Sequence, residues 1–198
     1  MIAVIDYNAG NTASVCNALE RIGQEFVVTF DASEILGADR VIFPGVGNAK
    51  AAMKDLKEKG LNRIISEIKV PFLGICLGLQ LLARFSEEGQ TNCLGIIDAE
   101  VKKFKSPQLT RLKVPQIGWN EVMQIKGSPL LVGIPDDSYF YFVNSYYLPL
   151  IKETVGKSQY GVSFSSIIRK KNFYATQFHP EKSGEMGLKL LNNFCELC

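Results

Sequence analysis

Histidine is nearly absent from this sequence: His179 is the only one. Any chemistry that needs an imidazole base must use it, and a zinc site built on several histidines is excluded. Net charge is nearly absent too. Lys and Arg number 22 and Asp and Glu 20, a balance of +2. That leaves no broad positive field to draw nucleic acid or an anionic membrane surface. The short basic runs Lys102-Lys103 and Arg169-Lys170-Lys171 read as solvated faces. No apolar run approaches the roughly 20 residues of a membrane span. The start, Met1-Ile2-Ala3-Val4-Ile5-Asp6, has no basic leader, and Asp6 ends its apolar run. No signal peptide is expected, and a cytoplasmic location is. No repeat, low-complexity stretch or long linker breaks the chain, which reads as one domain over residues 1–198.

Cysteine is present, but its count argues against pairing. Cys16, Cys76, Cys93, Cys195 and Cys198 are odd in number and widely spaced. Free thiols in a reducing compartment fit best. Cys195 and Cys198 form a C-x-x-C without a second ligand pair, so no metal is expected.

The first half alternates short apolar runs with helical patterns. Strands are expected at Ile2–Ile5, Phe26–Phe30, Arg40–Phe43 and Pro71–Ile75. Helices are expected at Asn11–Ile22, Ala49–Lys59, Leu61–Ile68 and Leu77–Phe85. Continuous apolar runs such as Val41-Ile42-Phe43 suit strands buried on both faces. From about Gly95 the pattern changes to closely spaced strands: Glu100–Phe104, Asn120–Ile125, Tyr139–Leu148, Glu153–Tyr160, Val162–Arg169 and Phe173–Phe178. A last helix is expected over Gly184–Glu196. The fold class is therefore α/β: an open, mostly parallel sheet covered by helices on both faces, with an antiparallel extension.

The segment Pro71-Phe72-Leu73-Gly74-Ile75-Cys76-Leu77-Gly78-Leu79-Gln80 carries the strongest chemical signal. An apolar strand runs into Cys76 and a helical pattern follows at once. Glycines at minus two and plus two make this a nucleophile elbow with Cys in place of Ser. A helix N-terminus favours the thiolate, and the Leu77 N–H is placed to stabilise an oxyanion. Gln80 lies one helical turn on, over the same helix end. Cys16 and Cys93 have no such context and read as core residues.

A second constellation is Phe178-His179-Pro180-Glu181. A strand delivers His179 at its end, and Glu181 is close enough to bond one ring nitrogen and fix the tautomer. Cys76, His179 and Glu181 then form a nucleophile–base–orienter chain. A third is Pro44-Gly45-Val46-Gly47, after the third strand. Its glycines let backbone approach a ligand at the carboxyl ends of the strands. No phosphate-loop spacing is present.

On these residues the chain resembles the class I glutamine amidotransferases. Gly-Ile-Cys-Leu-Gly and His-Pro-Glu look like their triad motifs. Asp6-Tyr7-Asn8-Ala9-Gly10-Asn11, Pro115-Gln116-Ile117-Gly118-Trp119-Asn120, Tyr141-Phe142-Val143-Asn144-Ser145-Tyr146 and Gln177–Ser183 narrow the resemblance. They are similar to a glutaminase branch that pairs with a (β/α)8-barrel cyclase making imidazole glycerol phosphate in histidine biosynthesis.

The resemblance implies glutamine hydrolysis through a thioester on Cys76, with ammonia passed inside a heterodimer. It assigns Gly45, Val46, Gly47 and Leu77 to the oxyanion hole, and Gln80, Ser145 and Tyr146 to glutamine binding. Asn11, Trp119, Asn120, Tyr141 and Lys182 are assigned to the partner face. No cofactor is implied. One departure stands out: Asn144 occupies a position where the branch often has histidine. That leaves open a sugar-amidating paralogue with a cyclase-like partner. Further alternatives are a γ-glutamyl peptidase and a non-catalytic, partner-binding subunit.

Overall fold

The computed structural model describes residues 1–7, 11–105 and 112–198. Asn8, Ala9 and Gly10, part of the Asp6–Asn11 segment, lie outside the described residues.

The first half runs β1 (Ile2–Ile5), α1 (Thr12–Arg21), β2 (Phe26–Thr29), α2 (Ala32–Gly37), β3 (Arg40–Phe43), α3 (Ala49–Glu58), α4 (Leu61–Glu67), β4 (Phe72–Ile75) and α5 (Leu77–Leu81). The second half runs β5 (Ala83–Ser86), β6 (Thr91–Asn92), β7 (Ile97–Lys103), β8 (Gln116–Gln124), β9 (Ser138–Asn144), β10 (Tyr146–Tyr147), β11 (Thr154–Tyr160), β12 (Val162–Lys170), β13 (Phe173–Thr176) and α6 (Gly184–Leu197).

Nine strands form the main sheet in the order β2-β1-β3-β4-β13-β12-β11-β8-β9. The ladders from β2 to β13 are parallel, and those from β13 to β9 are antiparallel. A second sheet has the order β10-β7-β5-β6.

Strand alternation divides the core between two faces. Ile2 and Val4 of β1 pack with Val15 and Leu19 of α1 and with Leu190 and Phe194 of α6. Ala3 and Ile5 pack on the other face with Ile35 of α2, Met53 and Leu56 of α3 and Ile65 of α4. Each such Leu or Ile contributes about 1.5–3 kcal/mol by leaving water. Helices thus cover both faces of the parallel half. No helix among the described residues is long and apolar enough to cross a membrane.

Strand β8 begins at Gln116 rather than Asn120, the short β6 was not expected, and three further elements differ from the sequence expectation. Helix α2 was not foreseen; Asp31 caps it by accepting the Ser33 and Glu34 N–H groups. The helix expected over Leu77–Phe85 stops at Leu81, and Ala83–Ser86 leaves it to pair with β6 and β7. The strand expected over Tyr139–Leu148 breaks at Ser145. Its first part stays in the main sheet as β9, and Tyr146-Tyr147 crosses to pair with β7. That crossing carries Asn144, Ser145 and Tyr146 over the carboxyl end of β4.

Candidate active site

A cleft of about 300 Å³ opens at the carboxyl ends of the central strands. This is where open α/β sheets hold ligands. Its walls include Val46, Gly47, Cys76, Leu77, Gln80, Ser145, Tyr146, His179 and Lys182, all named from sequence. Glu88, Pro115, Val143 and Asn144 complete it.

Cys76 sits at the end of β4 with φ 55° and ψ −105°. A β-carbon-bearing residue holds positive φ only when its surroundings enforce it. Here the Cys76 N–H donates to the Thr176 carbonyl at 2.7 Å and so stays locked to β13. Gly78 is required beside it: a β-carbon there would lie 2.3 Å from the Phe43 carbonyl oxygen. Gly45 is also pressed against the elbow, with space for a β-carbon closed by the Gly78 nitrogen at 2.7 Å. The loop after β3 and the elbow are thereby packed backbone to backbone.

The helix behind Cys76 has only five residues. A short helix gives a thiolate less dipole support than the longer one expected from sequence. Side chains supply partners directly. Gln177 Nε2 lies 3.7 Å from the Cys76 sulfur. Gln177 is itself aimed by Gln80, whose Nε2 donates to Gln177 Oε1 at 3.0 Å.

His179 follows β13 and is 4% exposed. Its Nδ1 lies 2.8 Å from Glu181 Oε1. With Nδ1 held by a carboxylate, Nε2 is the nitrogen left for Cys76. Burial disfavours the imidazolium, but the negative sulfur of Cys76, its hydrogen bond to the ring and the Glu181 carboxylate outweigh that. Together they raise His179 to about 10. Cys76 and His179 thus face one another as sulfur nucleophile and imidazole partner.

The histidine turn is fastened to β9 by two groups. The His179 N–H donates to the Tyr141 carbonyl at 2.9 Å. The Ser183 hydroxyl donates to the His179 carbonyl and accepts the Tyr141 N–H at 2.9 Å.

The expected oxyanion donors are not all free. The Leu77 N–H donates to the Gly45 carbonyl at 3.3 Å. It reaches an oxyanion only when that carbonyl turns away. Gly47, at φ +96°, gives the loop a joint with no side chain to obstruct it.

Among the residues expected to bind glutamine, Gln80 is 4% exposed, and its Nε2 also donates to the Tyr146 carbonyl at 3.0 Å. Its amide oxygen is the atom left for a ligand. Ser145 and Tyr146 are half-buried at the cleft wall.

The residues expected at a partner face divide. Trp119 is 56% exposed and meets the Tyr141 ring edge-on at 6.1 Å. They stand opposite one another on the outer face of the β8–β9 ribbon, beside exposed Ile117 and Val143. Lys182 is exposed at the cleft rim. Asn120 turns to the ribbon's other face and donates to the Gln159 carbonyl. Asn11 is half-buried and donates to the Ser14 hydroxyl of its own helix.

Three further residues were given no role from sequence. Gln177 stands two before His179 in extended chain, and period-two alternation was the signal available for it. Ser183 acts through tertiary hydrogen bonds that leave no local pattern. Glu88, twelve positions after Cys76, brings a carboxylate to the cleft and accepts the Ala49 N–H at 2.7 Å. Burial raises its carboxyl above the usual range, partly offset by that hydrogen bond.

Comparison with known proteins identifies the family. Residues 3–198 match the family described as glutamine amidotransferase class-I. The imidazole glycerol phosphate synthase subunit HisH of Bacteroides fragilis strain YCH46 is 52% identical over 99% of each chain. HisH 1 of Methanococcus maripaludis is 50% identical over the whole of both. Among solved structures, a glutamine amidotransferase from Thermotoga maritima superposes with a TM-score of 0.64 at 18% identity, covering 98% of this chain and 82% of that one. PurLQS, also from Thermotoga maritima, gives 0.72 at 17% identity, covering 98% and 96%. These two share the fold. With the family matched almost end to end, the chain belongs to the class-I glutamine amidotransferases.

Proposed function

We propose that this chain is the glutaminase subunit of an imidazole glycerol phosphate synthase: it hydrolyses glutamine and hands the ammonia to a cyclase subunit in histidine biosynthesis. The observation that carries the reading is the alignment of Cys76, His179 and Glu181 at adjoining strand ends, in a chain about half identical to HisH proteins over its full length.

In the proposed reaction Cys76 Sγ attacks the side-chain amide carbon of glutamine. His179 Nε2 gives its proton to the departing nitrogen, leaving a glutamyl thioester and ammonia. Water, deprotonated by the same nitrogen, then attacks the thioester and frees glutamate. Glu181 keeps the ring oriented and its charge balanced throughout. The Gln80 oxygen and the Glu88 carboxylate suit the α-ammonium of glutamine, and Ser145 and Tyr146 border the same end.

The partner is proposed to be a (β/α)8-barrel cyclase docking on the outer β8–β9 face. Trp119, Tyr141, Ile117 and Val143 give that face the aromatic and apolar character of an interface core, with Lys182 at its edge. Because the Leu77 N–H is held by Gly45, hydrolysis is expected to await a partner-driven turn of the loop. The test is glutamate release from glutamine by the chain with its cyclase. Absence of glutamate under those conditions rules the proposal out.

A further inference from the structure

Two amide oxygens lie buried side by side on the β8–β9 ribbon without a donor, and one of them, that of Asn144, belongs to a residue of the cleft wall. Gln116 on β8 is 3% exposed and Asn144 on β9 is 4% exposed. They stand directly opposite one another in the β8–β9 ladder. Alternation places both on the inner face of the ribbon, while Ile117 and Val143 point outward. Gln116 Oε1 and Asn144 Oδ1 are each fully buried, and neither accepts a hydrogen bond. The Asn144 amide has a fixed orientation, because its Nδ2 donates to the Tyr146 carbonyl at 3.0 Å. Asn144 lines the cleft with Cys76, and the preceding carbonyl, that of Val143, lies 3.8 Å from the Cys76 sulfur. Buried acceptors are almost always paired, so two orphans on opposed ladder residues call for a donor.

We propose that Gln116 and Asn144 form a waypoint for the ammonia released at Cys76, an inference that rests on the glutaminase reading above. Ammonia leaves as the carbon–nitrogen bond breaks and the sulfur–carbon bond forms, its third hydrogen coming from His179. It then carries three N–H donors, and the two amide oxygens accept two of them. Amides are not bases near neutral pH, so the guest stays as neutral ammonia, the nucleophilic form. A carboxylate would hold it as ammonium, and an imidazole would exchange protons with it. The pair also lies on the ribbon whose opposite face carries Trp119, between Cys76 and the surface proposed to meet the cyclase.

The test uses the complex with the cyclase and measures cyclised product formed per glutamate released from glutamine. In Gln116→Met one acceptor is lost, and the ratio is expected to fall about three- to tenfold while free ammonia appears in the medium. Gln116→Glu keeps the shape, guarding against a folding defect, but holds ammonium; its ratio is also expected to fall. With ammonium salts replacing glutamine, both variants should form product at the wild-type rate. A ratio unchanged in both variants overturns the waypoint, makes the amide pair purely structural and leaves the glutaminase reading standing. An equal loss in the ammonium-driven reaction overturns it too, since the defect would then lie in the cyclase contact. Failure of the wild-type complex to release glutamate would instead remove the underlying reading.

Discussion

Replacing Glu181 by Gln removes one charge from the site and almost nothing else. The two side chains have nearly the same shape, and position 181 is closed: its side chain is 1% exposed and that of His179 is 5%. The glutamine oxygen can still accept the Nδ1 hydrogen at the 2.8 Å now spanned by Glu181 Oε1. The tautomer is thus kept, and the change isolates charge. A hydrogen bond to a charged group contributes about 1.5–3 kcal/mol and a neutral one about 0.5–1.5. The difference, about 1–2 kcal/mol, corresponds to a drop in kcat of about 5- to 30-fold. The pH profile adds a second signature. Cys76 and Glu181 together outweigh burial and raise His179 to about 10. Losing one of those negative neighbours lowers its pKa, so the imidazolium disappears at lower pH. The alkaline limb of activity should move down accordingly. The assay is steady-state glutamate release by the complex, over a range of roughly pH 6 to 10. A kcat within about twofold of wild type and an unmoved alkaline limb would refute the orienting and charge-balancing role of Glu181.

Cys76→Ala should abolish glutamine hydrolysis while leaving cyclase binding intact; turnover retained in that variant, measured as glutamate release, contradicts the assignment. The isolated chain should hydrolyse glutamine about 10²- to 10³-fold more slowly than the complex, the usual cost of one missing oxyanion donor. Full-rate hydrolysis without partner would mean that the Leu77 N–H is not held shut by Gly45. Trp119→Ala should weaken cyclase binding by about 2 kcal/mol, read by calorimetry, with no change in the thermal midpoint of the free chain. Gly78→Ala should cost about 1–3 kcal/mol or more in denaturant unfolding. The 2.3 Å approach to the Phe43 carbonyl is to backbone, which cannot swing aside.

Strands β1, β3 and β4 were legible because each is buried on both faces and so reads as an unbroken apolar run, as in Val41-Ile42-Phe43. Helix α2 was not, because six residues with one buried side chain, Ile35, leave no periodicity; its real signal was the cap at Asp31. The stretch Leu77–Ala83 is buried throughout, so nothing in its pattern marks where α5 ends and β5 begins. That boundary is set by pairing with β7, a tertiary event.

The proposed triad was legible for a different reason. Cys76 needs glycines at fixed offsets, and Glu181 reaches His179 from two residues away, so both constraints are local. Gln177 and Ser183 act across the sheet, on Cys76 and on Tyr141. The hold of Gly45 on Leu77 joins segments far apart in the chain. Such contacts exist only once the strands are side by side.

The proposed chemistry turns on Cys76 carrying the acyl group. Its most direct measurement is rapid acid quench of the complex during turnover with glutamine, followed by peptide mass spectrometry. A glutamyl adduct on the Cys76 peptide, absent in Cys76→Ala, is the predicted result. Glutamate accumulating with no adduct at Cys76, or with the adduct on another cysteine, would contradict it.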